Sequence, residues 1–71
     1  MHPWLAIVIV WALGGDPNVN EKLAVPIPFP SKAVCEEFLQ SEELADAVKD
    51  FKAVRAARGT PVETRVECLE F

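Results

Sequence analysis

The sequence contains few of the residues that build metal or redox sites. It has one histidine and two cysteines, and Cys35 and Cys68 stand 33 positions apart. A structural zinc ion needs three or four ligands at close spacing, and a thioredoxin-type redox site needs the pattern Cys-x-x-Cys. The sequence has neither pattern, so we expect no metal and no cofactor.

Positive charge and long apolar runs are also scarce. Seven Lys and Arg stand against eleven Asp and Glu, giving a net charge of −4. This balance lacks the large positive field that gathers nucleic acid or an anionic membrane, so we expect neither partner. The run Trp4 to Leu13 has ten apolar residues, against the roughly 20 that span a bilayer. The sequence therefore favours a cytoplasmic protein, with an exported or periplasmic one as the alternative.

The motifs of common enzyme classes are missing as well. Acidic residues are plentiful in the middle of the chain, but no nucleophile and base can be recognised beside them. Gly14-Gly15 is followed by Asp-Pro-Asn rather than by the helix start and lysine of a phosphate-binding loop. The sequence predicts a protein without catalytic activity.

The composition predicts one folded domain over residues 1–71. Apolar residues make up 51% and charged residues 25%, which is typical of a globular chain. Below roughly 70–80 residues, however, a single core seldom supplies more than a few kcal/mol of stability. We therefore expect a cross-link or a partner subunit to add to it.

Two runs near the N-terminus predict strands. Trp4 to Leu13 is rich in β-branched and aromatic residues and is followed by two glycines, which favours a buried strand. Lys22 to Phe29 alternates between two faces, and prolines occupy every second position from Pro26 to Pro30. Because all the missing N–H groups then lie on one side, this run is predicted to be an edge strand with its outer side blocked.

The rest of the chain predicts a helix and a third strand. Ser31 can cap a helix that runs to Arg58 and stops at Gly59. An unbroken helix of this length would be longer than the sheet, so it either overhangs the sheet or breaks near Ser41. Val62 to Phe71 has the alternating pattern of a strand with one face exposed to solvent.

These elements predict an α+β fold of the order β-β-α-β. The blocked edge of the second strand leaves the third to pair with the first, so the antiparallel sheet has the order 2-1-3 with the helix on one face. Cys35 and Cys68 then lie at the same end of the domain. They form either a disulfide or two packed thiols.

The face of the sheet without a helix is predicted to carry an apolar surface for self-association, and a homodimer is expected. Pairing through the free edge of the third strand, and a loop of residues 14 to 21 folded over the apolar patch, are the alternatives. The sequence leaves open which face of the first strand meets the helix, so the predicted interface draws on both: Trp4, Leu5, Ile7, Ile9, Trp11, Pro26, Pro28, Leu69 and Phe71.

Short motifs in each element resemble a group of small proteins from phage and prophage gene clusters. The matching residues are the aromatic, apolar strand Trp4 to Trp11, then Phe29-Pro30-Ser31, Cys35-Glu36 and Val66-Glu67-Cys68. The longer helix and the three-proline edge depart from that pattern. The resemblance implies a phage-type origin and no activity, because the group has no assigned function.

Three functional hypotheses follow. The first is a small, non-catalytic interaction or structural protein of bacterial or phage type, which has a second copy or another protein as partner. The second is an exported, disulfide-linked protein with residues 1–15 as a signal or membrane-associated segment. The third is a weak nucleic-acid binder through the basic end of the helix: Lys49, Lys52, Arg55 and Arg58. The acidic total argues against the third.

Overall fold

A computed structural model describes residues 2–71 and has the predicted α+β architecture. A three-stranded antiparallel sheet in the order β2-β1-β3 packs against two helices. The elements in chain order are β1 (Trp4–Ala12), β2 (Glu21–Ala24), α1 (Lys32–Leu39), α2 (Glu42–Ala57) and β3 (Val62–Glu70). The predicted element order and sheet order are confirmed, with the helical region divided in two.

The register decides which side of β1 meets the helices. Ala6 lies opposite Cys68 on β3, and Cys68 contacts Cys35 of α1. Directly opposed residues of an antiparallel pair share a face, so the even-numbered residues of β1 and β3 form the helix face of the sheet. The odd-numbered residues of both strands form the helix-free face.

The second strand is shorter than the predicted Lys22 to Phe29, and its pairing with β1 is interrupted where the prolines begin. Regular pairing with β1 ends at Ala24, and Val25 adds one more bond from its N–H to the carbonyl oxygen of Ala6 at 2.9 Å. The N–H of Ile27 then donates to the carbonyl oxygen of Val25, two residues earlier in the chain, at 2.8 Å instead of to β1. Pairing returns at Phe29, which exchanges two hydrogen bonds with Trp4. Residues 26–28 therefore bulge away from β1.

The helical region breaks at Ser41, one of the two predicted outcomes. The backbone N–H groups of Gln40 and Ser41 bond back to the last turn of α1. The Ser41 hydroxyl then accepts a hydrogen bond from the N–H of Leu44, 3.3 Å away, and so caps α2. After the break, α2 contacts β3 but not β1 within the described residues, whereas α1 contacts both strands.

Gly59 ends α2 and directs the chain into β3. It has a φ of 80°, a conformation that side-chain-bearing residues seldom adopt. The N–H of Gly59 bonds to Ala56 and that of Thr60 bonds to Arg55, both at 3.0 Å, which together make a Schellman motif. This closure places β3 antiparallel to β1.

The core is small and the molecule is flat. The buried apolar residues lie mainly on β1, with single contributions from the other elements: Ala6, Ile7, Ile9, Val10, Cys35, Leu44 and Val62. The molecule measures 41 × 25 × 16 Å and has a radius of gyration of 12.9 Å, against about 11 Å for a compact chain of this length. Two thin layers therefore leave much of the chain near the surface.

We expect the stability of this core to depend on Ile9. Its side chain is 2% exposed in the centre of the sheet, so Ile9→Ala should lower the free energy of unfolding by about 2–5 kcal/mol. Ile27→Ala is the matched control, because Ile27 is 49% exposed in the bulged segment and should cost about 0.5 kcal/mol or less. Urea denaturation at one low protein concentration measures both. Equal losses in the two variants would contradict the central position of Ile9.

Candidate interaction surface

The two cysteines lie at disulfide-bonding distance and connect α1 to β3. Their Cα atoms are 6.2 Å apart, and Cys35 is fully buried. Two other contacts hold α1 at this end of the sheet. The rings of Phe38 and Phe29 lie 5.1 Å apart, and the Lys32 ammonium lies 5.9 Å from the centre of the Trp4 ring. The predicted proximity of the two cysteines is confirmed.

The outer edge of β3 is a row of unpaired backbone groups. The N–H of Leu13 donates to Pro61 at 3.1 Å, just before β3 begins. The N–H of Phe71 donates to Pro3 at 2.9 Å, just after β3 ends. Hydrogen-bonded pairs alternate along an antiparallel ladder, so odd-numbered residues of β3 face β1 and even-numbered residues direct their N–H and C=O outward. The outward set is Val62, Thr64, Val66, Cys68 and Glu70, and no backbone hydrogen bond to it is formed within residues 2–71.

The opposite edge of the sheet is short and is followed by prolines. The bond from the Val25 N–H to Ala6 shows that the odd-numbered residues of β2 face β1. Lys22 and Ala24 therefore direct their N–H groups outward. The next outward position is Pro26, which has no N–H to donate. A strand added at this edge would therefore find few hydrogen-bond partners.

The helix-free face is less open than its apolar sequence predicts. Ile7 and Ile9 lie on this face but are only 7% and 2% exposed. The register places Lys22 and Arg65 on either side of Ile9, and the stems of such long side chains can cover apolar neighbours. At the next position the Trp11 indole N–H donates to the Glu63 carboxylate at 2.9 Å.

The predicted interface residues do not share one surface. Trp4 lies on the helix face beside Lys32, whereas Leu5 lies opposite Leu69 on the helix-free face. The exposed members are Leu69 (38%) and Phe71 (77%) at the end of β3, together with Pro26 and Pro28 beside the bulge.

The loop that follows β1 does not cover the sheet. All residues from 12 to 24 are exposed, and Val19 in this segment is 75% exposed. The alternative in which residues 14 to 21 fold over the apolar patch therefore does not describe this structure.

A groove between α2 and the middle of β3 was not predicted from the sequence. It has a volume of about 460 Å³ and an apolar floor that includes Leu44, Val48 and Val66. Lys49 and Lys52 of α2 line it opposite residues 64–66 of β3. The signal available in the sequence was the basic series that contains Lys49 and Lys52, but only the fold brings these two lysines beside β3.

Three of the four basic residues proposed for nucleic-acid contact lie in two separate places. Lys49 and Lys52 line the groove beside β3, whereas Arg55 lines a separate depression near Thr60 and lies 5.6 Å from the Phe51 ring. The acidic residues of the helices are all exposed: Glu36, Glu37, Glu42, Glu43, Asp46 and Asp50. Within residues 2–71 no three side chains come together as a metal site would require.

Comparisons with protein-family models, with curated proteins and with solved structures find no match to this chain. Neither helix in the described part of the chain is long and apolar enough to cross a membrane. The surface itself therefore carries the functional argument.

We expect the contact between Cys35 and Cys68 to be a covalent source of stability. A disulfide between two residues 33 positions apart restricts the unfolded chain. The variant Cys35→Ala/Cys68→Ala should therefore lose about 3–4 kcal/mol of unfolding free energy. Unfolding of the unmodified protein with and without a reducing agent measures the same difference, and the double variant, which has no thiols, is the control that should not respond to the agent. If the reducing agent changed the stability of the unmodified protein as little as that of the double variant, the cross-link would be contradicted.

Proposed function

We propose that this chain is a small, non-catalytic interaction protein that functions as a homodimer. The observation that carries the proposal is the excess of surface in the single chain. A folded monomer of 7.9 kDa is expected to expose about 4,400 Å², and this chain exposes 5,055 Å². The excess of about 650 Å² of accessible surface compares with the roughly 800 Å² that one partner buries in a protein–protein interface of standard size.

The composition of the exposed surface supports the same proposal. Several large apolar side chains are more than a third exposed, among them Leu69 and Phe71 at the end of β3. Small domains of this length also gain stability from a second subunit, because their own core is limited. Two surfaces are available for self-association: the helix-free face of the sheet and the outer edge of β3. The resemblance to phage-type proteins supports a bacterial or phage source.

Sedimentation equilibrium between about 1 µM and 1 mM tests the proposal. We expect the apparent mass to rise from 7.9 kDa to twice that value and to stop there, because a twofold interface satisfies both copies. A constant mass of 7.9 kDa up to the highest concentration would refute self-association.

A second candidate is an exported protein stabilised by its disulfide, and the proximity of Cys35 and Cys68 favours it. Disulfides persist in oxidising compartments and are rare in the cytosol. If residues 1–15 were cleaved off as a signal, the protein would lose β1, with which both other strands pair. The cleaved chain could not form this sheet. An exported form with β1 retained has no such difficulty.

An intact mass of the protein from its native host, alkylated without reduction, distinguishes these candidates. The exported form should carry no alkyl group and keep β1, whereas a reduced cytoplasmic form should carry two alkyl groups. A chain that lacks residues 1–15 would contradict the fold described for β1.

A further inference from the structure

We propose that the partner surface is the outer edge of β3, which pairs antiparallel with β3 of a second copy about a twofold axis at Val66. The two sheets then join into one six-stranded sheet with β3 of each copy at the centre. This inference rests on the proposed self-association and specifies its surface and its register.

The first support is the unpaired backbone along this edge. Nine residues form β3, and its outward N–H and C=O groups, on the even-numbered residues, have no backbone partner within residues 2–71. An open edge of this length is a template for another strand. Its occupant must offer an extended backbone of similar length, and a second copy of β3 does so.

The outer edge of β3 is also accessible through the groove beside α2. The groove of about 460 Å³ separates α2 from the middle of β3, with Thr64 and Val66 on its strand side. A second strand lies about 4.8 Å from the first in a sheet, so it would occupy the mouth of this groove. The other edge of the sheet is blocked at Pro26.

The charges of β3 select one register. With the axis at Val66, Arg65 lies opposite the partner's Glu67, and symmetry repeats this pair on the other side of the axis. Opposite charges at facing positions of two strands stabilise the pairing, and like charges oppose it. All nine residues of β3 are paired in this register, because Val62 lies opposite the partner's Glu70.

Neighbouring registers either place like charges opposite each other or shorten the paired segment. An axis at Arg65 places that residue opposite its own copy and Glu63 opposite the partner's Glu67. An axis at Glu67 likewise places this carboxylate opposite its own copy. An axis at Thr64 pairs Glu63 with Arg65 of the partner subunit but leaves only residues 62–66 in the ladder. The axis at Val66 alone combines complementary charges with the full strand.

The same register brings acidic residues of the partner toward the basic groove. Thr64 lies opposite the partner's Cys68, and Cys68 is the residue of β3 that contacts α1. The α1 helix of the partner therefore approaches the groove, and this helix exposes Glu36 and Glu37 in each copy. Lys49 and Lys52 line the groove on the opposite side. This complementarity lets two chains of net charge −4 associate.

A charge-swap experiment tests the register. Arg65→Glu and Glu67→Arg each place like charges opposite each other on both sides of the axis, so each should raise the dimer dissociation constant about tenfold or more. The double variant Arg65→Glu/Glu67→Arg exchanges the two charges and should return the dissociation constant to within about threefold of the original. Sedimentation equilibrium at low salt measures all four proteins, with circular dichroism to establish that each is folded.

Lys22→Glu is the matched control. Lys22 and Arg65 flank Ile9 on opposite sides of the same face, so the two substitutions change the charge equally at equivalent places in the monomer. Only Arg65 lies on the proposed interface. Lys22→Glu should leave the dissociation constant within about twofold, and an effect equal to that of Arg65→Glu would overturn the assignment of the edge.

Amide hydrogen exchange of the unmodified protein tests the edge without any substitution. Raising the concentration into the dimeric range should slow the exchange of Thr64, Val66 and Cys68, whose N–H groups point outward from β3. Lys22 and Ala24 point outward from β2 and should exchange at the same rate at both concentrations.

The outcomes separate the surface from the self-association. A dimer whose Thr64, Val66 and Cys68 amides stay unprotected, or whose double variant stays as weak as the single ones, would overturn the pairing of β3 while leaving the homodimer intact. A protein that stays monomeric at 1 mM would refute the self-association and the edge pairing together.

Discussion

The pairing of β1 with a strand on each side is the interaction on which the rest of this structure depends. It buries Ile7 and Ile9 on one face and Ala6 and Val10 on the other, which together form most of the core. It also fixes the position of Cys68 opposite Ala6 and hence the end of the sheet over which α1 lies. Because β1 supplies both faces, a strand that is apolar at nearly every position is required here, whereas the outer strands can alternate.

The element order was predictable because each segment carries a strong local signal. β-branched residues mark β1, the Ala- and Glu-rich region marks the helices, and Gly59 marks their end. The end of β2 was not predictable from alternation, because the alternation continues through Pro26 and Pro28. The outcome there depends on whether the chain can keep its register with β1 while φ is fixed at Pro26 and Pro28, and this is a tertiary property.

The apolar patch shows a second limit of periodicity. Alternation places Ile7 and Ile9 on the same face of the strand, but it tells neither which face this is nor how far it is covered. Residues 7–10 of β1 have a paired neighbour on each side, and Ile9 lies between Lys22 and Arg65. Polar side chains with long apolar stems can therefore bury a central strand without a second layer. The outward direction of Thr64 and Val66 likewise depends on the register.

A sheet with one open edge and one blocked edge limits its own assembly. A strand that adds to β3 is itself an edge strand of another sheet, so a twofold pairing uses up both open edges. What remains at the two ends of the joined sheet is β2, four residues long and followed by Pro26. Prolines at a sheet edge prevent further strands from adding, which is the usual protection against fibres. In this interpretation the residues that shorten β2 within the monomer are also those that stop assembly at two copies.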